Sequence, residues 1–180
     1  MNKILRVLTV FFVIYALWLF ADSVLDNFSW FAKFWWFLYH ILLKTTEFLT
    51  IKLVAILWNI DAFVIDYRKI ALSTGQILTI WNEYLGFDVW ALFFSFIIAW
   101  PSKWKIRLLA IPIGSIILFF TNVLLISYVI KEASYLSPQL TMPSPNKFKF
   151  ILYIVMAIMW IVYIKFFSDK NFIKHIEKFL

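Results

Sequence analysis

The stretch ALFFSFIIAW (91–100), PSKWK (101–105) and IRLLAIPIGSIILFFTNVLLISYVI (106–130) decides the fold class. Two apolar runs flank five residues that hold a proline, a serine and two lysines. The second run is long enough to cross a hydrocarbon core of about 30 Å at about 1.5 Å per helical residue. The first, counted from Gly86 to Trp100, is short for that task. It must borrow a turn from Trp81–Leu85 or lie partly shielded by protein. Lys103, Lys105 and Arg107 mark the junction as a water-facing end of membrane spans.

Composition agrees with this reading over the whole chain. Of the residues, 64% are apolar and only 15% charged, whereas a soluble domain carries roughly a quarter charged residues. Ten Trp, eight Tyr and twenty-one Phe leave more apolar surface than a chain of 180 residues can hide from water. An aqueous enzyme is excluded. The formal charge of +7 comes from clusters beside apolar runs: Lys3 and Arg6, the central trio, and a tail of Lys165, Lys170, Lys174 and Lys178. That distribution speaks for membrane-span ends rather than nucleic acid. There is no Cys, which removes disulfides, a thiol nucleophile and thiolate metal sites together.

Working outward, residues 7–25 form a further span, read as a retained anchor because Ala21–Asp22–Ser23 makes a poor cleavage site. Residues 148–167 form another. The expected spans are therefore 7–25, 86–100, 106–130 and 148–167 in one membrane domain over 1–180. The segment 28–66 is apolar and aromatic but interrupted by Lys33, His40, Lys44, Glu47, Lys52, Asn59 and Asp61. If all three basic clusters lie on the cytoplasmic side, parity gives this segment no crossing or two. We read none, with amphipathic helices lying in the outer interface behind the girdle Trp30, Phe34, Trp35, Trp36 and Tyr39. Ser73–Thr74–Gly75 then marks the turn of a small β-hairpin over 67–81. The fold class is an all-α integral membrane protein with about four spans, outer interfacial helices and that hairpin.

Polar groups near the spans are the candidate functional residues, because an unpaired charge there is costly. Asp88 is either a coupling or proton-carrying group or an interfacial carboxylate paired with Arg68 or Lys131. Asn122 is either a substrate contact or a helix-to-helix hydrogen bonder. His40 and His175 fall on opposite sides under this topology. No nucleophile–base set, metal spacing or phosphate-cradling glycine loop is present in the sequence, and no cofactor is expected. Trp35, Trp36, Trp100, Trp104 and Trp160 are candidate interface anchors, with ordinary aromatic-belt placement as the alternative.

From Trp81 to Ile126 the chain resembles the core of the exosortase/archaeosortase family of membrane transpeptidase-like enzymes. The matching pieces are Tyr84–Leu85–Gly86, ALFFSFIIAW over 91–100, Pro101–Ser102, Trp104–Lys105, Ile111–Pro112–Ile113–Gly114 and Asn122–Val123–Leu124–Leu125. They follow the family's order and spacing. The reactive words differ. The family's Cys falls on Tyr84, its Asn neighbour on Leu85, its Arg on Leu125 and its His near Ser144.

A phenol with a pKa near 10 is a poor substitute for a thiolate, and Leu125 has no group to stabilise an oxyanion. The resemblance therefore implies a catalytically inactive subunit with a structural or assembly role in a bacterial envelope complex, for protein secretion or surface motility. The rival is a divergent membrane protease or transpeptidase acting on C-terminal sorting signals through Asp88, Glu83 or Ser144 with Asn122. Implied partners are other inner-membrane or envelope proteins. Anionic lipid at the cytoplasmic face is a further expectation, drawn from the lysine tail. The implied location is the bacterial cytoplasmic membrane with both termini inside.

Overall fold

The computed structural model describes residues 3–24, 29–80, 85–135 and 145–168. In chain order these form helices α1 (Lys3–Val24) and α2 (Ser29–Trp58), and strands β1 (Ala62–Asp66), β2 (Lys69–Leu72) and β3 (Ile77–Thr79). Helices α3 (Phe87–Ala99), α4 (Trp104–Ser134) and α5 (Pro145–Phe167) follow. The fold is mostly helical. Three helices carry windows apolar and long enough to cross a membrane, at Ile4–Ala21, Trp104–Ser134 and Lys149–Phe167. The chain is membrane-associated by this measure. α3, at 13 residues, is only about 20 Å long. Its length falls short of the hydrocarbon core, as its sequence foreshadows.

The chain divides into two compact units. The first comprises Met1–Ser29, Phe87–Leu118 and Tyr153–Leu180. Here α1 packs against α3, yet only 6% of the apolar window of α1 is buried. Most of its Leu, Phe and Val side chains instead face outward, as lipid-facing residues do. α3 behaves differently. Val89, Phe93 and Ile97 form one buried stripe, and Ala91 and Ser95 form a second. Successive members of each stripe are one turn apart, and the stripes lie about 200° from each other on the helix. Burial on two sides makes the shortest helix the core of its unit. Gly114 of α4 meets the Phe93 ring there, where a Cβ would collide with Phe93 and come within 2.9 Å of the Met159 methyl.

The second unit comprises Trp30–Gly86 and Phe119–Leu152. α2 is a single helix of 30 residues without a break. Its buried stripe is Tyr39, Leu43, Thr46, Glu47, Thr50 and Val54, a helical repeat of three and four. Asn59 ends it in the left-handed conformation (φ 54°), its N–H bonded to Ala55 O at 3.1 Å. Asparagine is one of the few residues that adopt this conformation readily. In the same unit, Asn122, Val123, Ile126, Ser127, Val129, Ile130 and Ala133 of α4 are buried.

The expected two-strand hairpin is a three-stranded antiparallel sheet in the order β1-β2-β3. The Ser73–Gly75 turn does join β2 to β3, with Gly75 at φ 93°. Strand β1 lies within the 28–66 segment assigned to interfacial helices. Phe63–Val64–Ile65 follow the helix end at Asn59, and bulky or β-branched side chains favour a pleated strand once the helix has stopped. β1 pairs with β2 at Ala62–Leu72, Phe63–Ala71 and Val64–Ile70, and a bulge precedes Asp66–Lys69. Ile70, Leu72, Leu78 and Ile80 are buried, whereas β1 is exposed along almost its whole length.

Candidate functional site

Of the positions that match the reactive motifs of the sequence resemblance, the described ones, Leu85, Gly86, Asn122 and Leu125, fall in the second unit. Leu85 and Gly86 are buried just ahead of α3. Gly86 sits at φ 66°, and a Cβ on it would approach Leu152 Cδ1 to 3.1 Å, so both backbone and space favour glycine. Asn122 is buried on the inward stripe of α4, and Leu125 is half-buried. Tyr84 and Ser144 lie outside the described residues, as do Glu83 and the tail lysines beyond Lys165. Asp88 belongs to the first unit, at the start of α3, and accepts a hydrogen bond from the Tyr153 hydroxyl at 3.0 Å.

The five tryptophans separate into different roles. Trp160 is half-buried within the first unit. Its ring stacks on Phe96 at 4.4 Å and meets Phe11 edge-on at 6.2 Å, and its Nε1 is buried without a hydrogen-bond partner. Trp100 donates through Nε1 to Ser168 Oγ at 2.5 Å. Trp104 projects outward, 65% exposed. In the second unit Trp35 is half-buried, and exposed Trp36 stacks on His40 with ring centres 5.0 Å apart.

The densest polar constellation of the second unit lies where α2 meets the β1–β2 turn. Glu47 is 1% exposed. One carboxylate oxygen accepts from Lys44 Nζ at 2.9 Å. The other, Oε1, and Thr50 Oγ1 one turn along are buried without hydrogen-bond partners. A buried carboxylate whose second oxygen lacks a donor is a costly arrangement. Around it the rings stack in series: Trp36 on His40, and His40 on Tyr67 at 6.1 Å. The Arg68 guanidinium lies 4.8 Å from the Tyr67 ring centre and 5.1 Å from that of Tyr39, within cation–π range.

Burial pushes the Tyr39 hydroxyl up to about 12, with the Arg68 charge acting in the opposite sense. The exposed Asp66 carboxyl is held below its ordinary value, first by the Tyr67 N–H and then by Lys69. Asp66 thereby fixes the turn that carries Arg68 at φ 63°. The cluster holds the sheet to α2 and leaves Glu47 Oε1, Thr50 Oγ1 and His40 Nδ1 buried without hydrogen-bond partners.

The sequence presents Lys44 and Glu47 only as interruptions of an apolar segment, and His40 as a histidine set apart from His175 by the expected topology. The signal was present nonetheless. Leu43, Glu47, Thr50 and Val54 share one helical face, which places the carboxylate inward if the segment is one helix.

A second constellation sits at the α3–α4 turn of the first unit. Arg107 donates to Trp100 O at 3.0 Å through Nη2 and to Ser102 Oγ at 3.2 Å through Nε. Ser102 shares a hydrogen bond with the buried Tyr163 hydroxyl. The guanidinium thus closes the end of α3 and clasps α5 through one serine. Elsewhere the helix hydroxyls of Thr9, Thr45, Ser95, Ser115 and Ser127 each donate to the carbonyl four residues back.

Among the described residues no three His, Asp or Glu side chains gather as metal ligands. The chain matches no protein-family model, no curated protein and no solved structure. Its chemistry is therefore read from its own residues.

Proposed function

We propose that this chain is a catalytically inactive, exosortase-like membrane subunit that assembles a bacterial envelope complex concerned with protein secretion or surface motility. In this reading α1, α4 and α5 cross the cytoplasmic membrane outright, the short α3, shielded by protein on two sides, completes a fourth crossing, and both termini lie inside. α2 and the sheet then lie at the outer face. The family likeness rests on the serial order of its motifs. The left-handed Gly86 ahead of α3 and the close contact of Gly114 with Phe93 give two of those glycines a physical reason.

The observation that carries the assembly role is the outer edge of the sheet. β1 is an edge strand, and Phe63 (53% exposed), Val64 and Ile65 follow one another along it in the open. Ile77 on β3 is 61% exposed. An uncovered apolar edge invites pairing unless a partner or a lipid interface covers it. A fourth strand supplied by another polypeptide would complete it, with backbone hydrogen bonds giving affinity and the alternate side chains giving selectivity.

The test is mass spectrometry of what co-purifies with the native protein in mild detergent, beside a V64P variant and a membrane-protein control. Proline at Val64 disrupts the edge strand without touching a predicted span. The expected result is near-stoichiometric recovery of other envelope proteins with the wild type and their loss with V64P. A lone wild-type protein would sink the assembly role. It would turn attention to the transpeptidase alternative, tested by processing of sorting signals in Asn122→Ala and Asp88→Asn strains.

A further inference from the structure

The first unit contains an open apolar groove of about 310 Å³ between α4 and α5, floored by Phe93 and Ile97 of α3. On α4 its wall runs from Ile106 to Ile117, and on α5 from Ile158 to Phe167. The α4 wall is about 16 Å long at the helical rise, close to half of a hydrocarbon core of about 30 Å. The groove is thus as tall as one leaflet. Gly114 lets the Phe93 ring lie against the floor, where a larger residue would meet it.

One end of the groove is polar and cationic. Tyr163, which lines it, is joined through Ser102 to Arg107. Lys103 caps α4, its carbonyl accepting from the N–H groups of Ile106 and Arg107. Lys105 and Lys165 lie exposed beside the same end. The first turn of α4 contains no acidic residue, although a helix start carries partial positive charge of its own. Among the described residues, no carboxylate forms an ion pair with Lys103, Lys105, Arg107 or Lys165. The opposite end of the groove, by Ile117 and Ile158, is apolar.

A trough one leaflet tall, apolar at its inner end and positively charged at the water-facing end, matches a single class of molecule. We propose that it binds one anionic phospholipid, an acyl chain lying along Ile106–Ile117 and the phosphate headgroup held by Lys103, Lys105 and Arg107. Charge complementarity favours this occupant over a partner's membrane helix, which would bring apolar surface but no counter-charge. The site stands independently of the assembly role.

The full chain, purified in mild detergent and delipidated, is titrated with dioleoyl phosphatidylglycerol and separately with dioleoyl phosphatidylcholine, which share their chains and differ in net charge. Binding is read by native mass spectrometry and by thermal unfolding. Phosphatidylglycerol is expected to be retained at one per chain and to raise the unfolding midpoint, with phosphatidylcholine bound about tenfold more weakly or worse. Each surface lysine is worth about fivefold toward an anionic headgroup. The double variant Lys103→Gln/Lys105→Gln should therefore lose up to about 25-fold of the affinity for phosphatidylglycerol while keeping its fold. Ala110→Phe should lower occupancy of both lipids by filling the groove.

Equal retention of the two lipids by the wild type would overturn the proposal, whatever the variants do. An unchanged preference in the lysine double variant would do the same. Saturation only at several lipids per chain would show an ordinary annular shell instead of a site.

Discussion

The polar clusters of the two units solve opposite problems. At the α3–α4 turn every member of the Arg107–Ser102–Tyr163 series has a partner, and the guanidinium reaches a backbone carbonyl that the end of α3 leaves free. On α2 a carboxylate is buried with one cation, while its second oxygen and a neighbouring hydroxyl go without. The first arrangement is what a load between helices requires. The second holds free energy in reserve, because a buried group with an empty bonding position gains when something fills it. Polar residues in an apolar chain therefore cannot be ranked by type, and their remaining hydrogen-bonding capacity separates them.

The largest way to break this contrast is Lys44→Met. It leaves Glu47 buried and uncompensated, and should cost about 3 kcal/mol of stability in detergent unfolding, whereas Lys44→Met with Glu47→Met should restore most of it. Restoration would mark the pair as a liability of the fold; persistent loss would mean that Glu47 bonds elsewhere. Next comes Gly114→Ala, expected to cost about 2 kcal/mol by crowding Phe93, with relief when Phe93→Leu is added. Arg107→Lys should cost about 1 kcal/mol, since an ammonium lacks the planar fork that reaches both Trp100 and Ser102. If Glu47 and Arg107 respond alike to these conservative changes, the contrast between the clusters fails.

Alkaline pH sharpens the comparison from another direction. The Tyr39 hydroxyl is raised to about 12 by burial, so its neutral form is the one the fold favours. Its contribution is complete below about pH 10, the unfolded value, and is lost as pH rises from there through about 12. The phenolate absorbance of the wild type minus that of Tyr39→Phe should show a titration delayed relative to free tyrosine. The smallest effect is expected at Asn59→Gly. A left-handed residue at the end of α2 loses its steric cost with glycine, for a gain of about 0.5 kcal/mol in thermal unfolding.

Much of the fold was legible because the membrane imposes it. A chain with 64% apolar residues and basic clusters at its apolar boundaries announces its long helices by length alone. The windows at Ile4–Ala21, Trp104–Ser134 and Lys149–Phe167 lie where hydropathy puts them. The turn at Ser73–Gly75 was equally plain. The α2 region was harder, because Lys33, Lys44, Glu47 and Lys52 break the apolar signal without breaking the helix. Strand β1 was hidden for a related reason. Phe63, Val64 and Ile65 are as apolar as their neighbours, and only the helix stop at Asn59 tells the pleated run from more helix.

The amino-acid sequence by itself determined that this protein lives in a membrane, which helices are long enough to cross it and where cations gather at their ends. These properties follow from transfer of side chains between water and lipid, which each residue brings with it wherever it is placed. Tertiary structure alone decided that the short α3 is the most enclosed helix of its unit, that Glu47 is buried beside Lys44, and that Arg107 stands at the mouth of a groove. Those outcomes depend on which faces meet. Within a chain this uniformly apolar, every face is an acceptable one to lipid, so close packing and hydrogen-bond satisfaction make the choice.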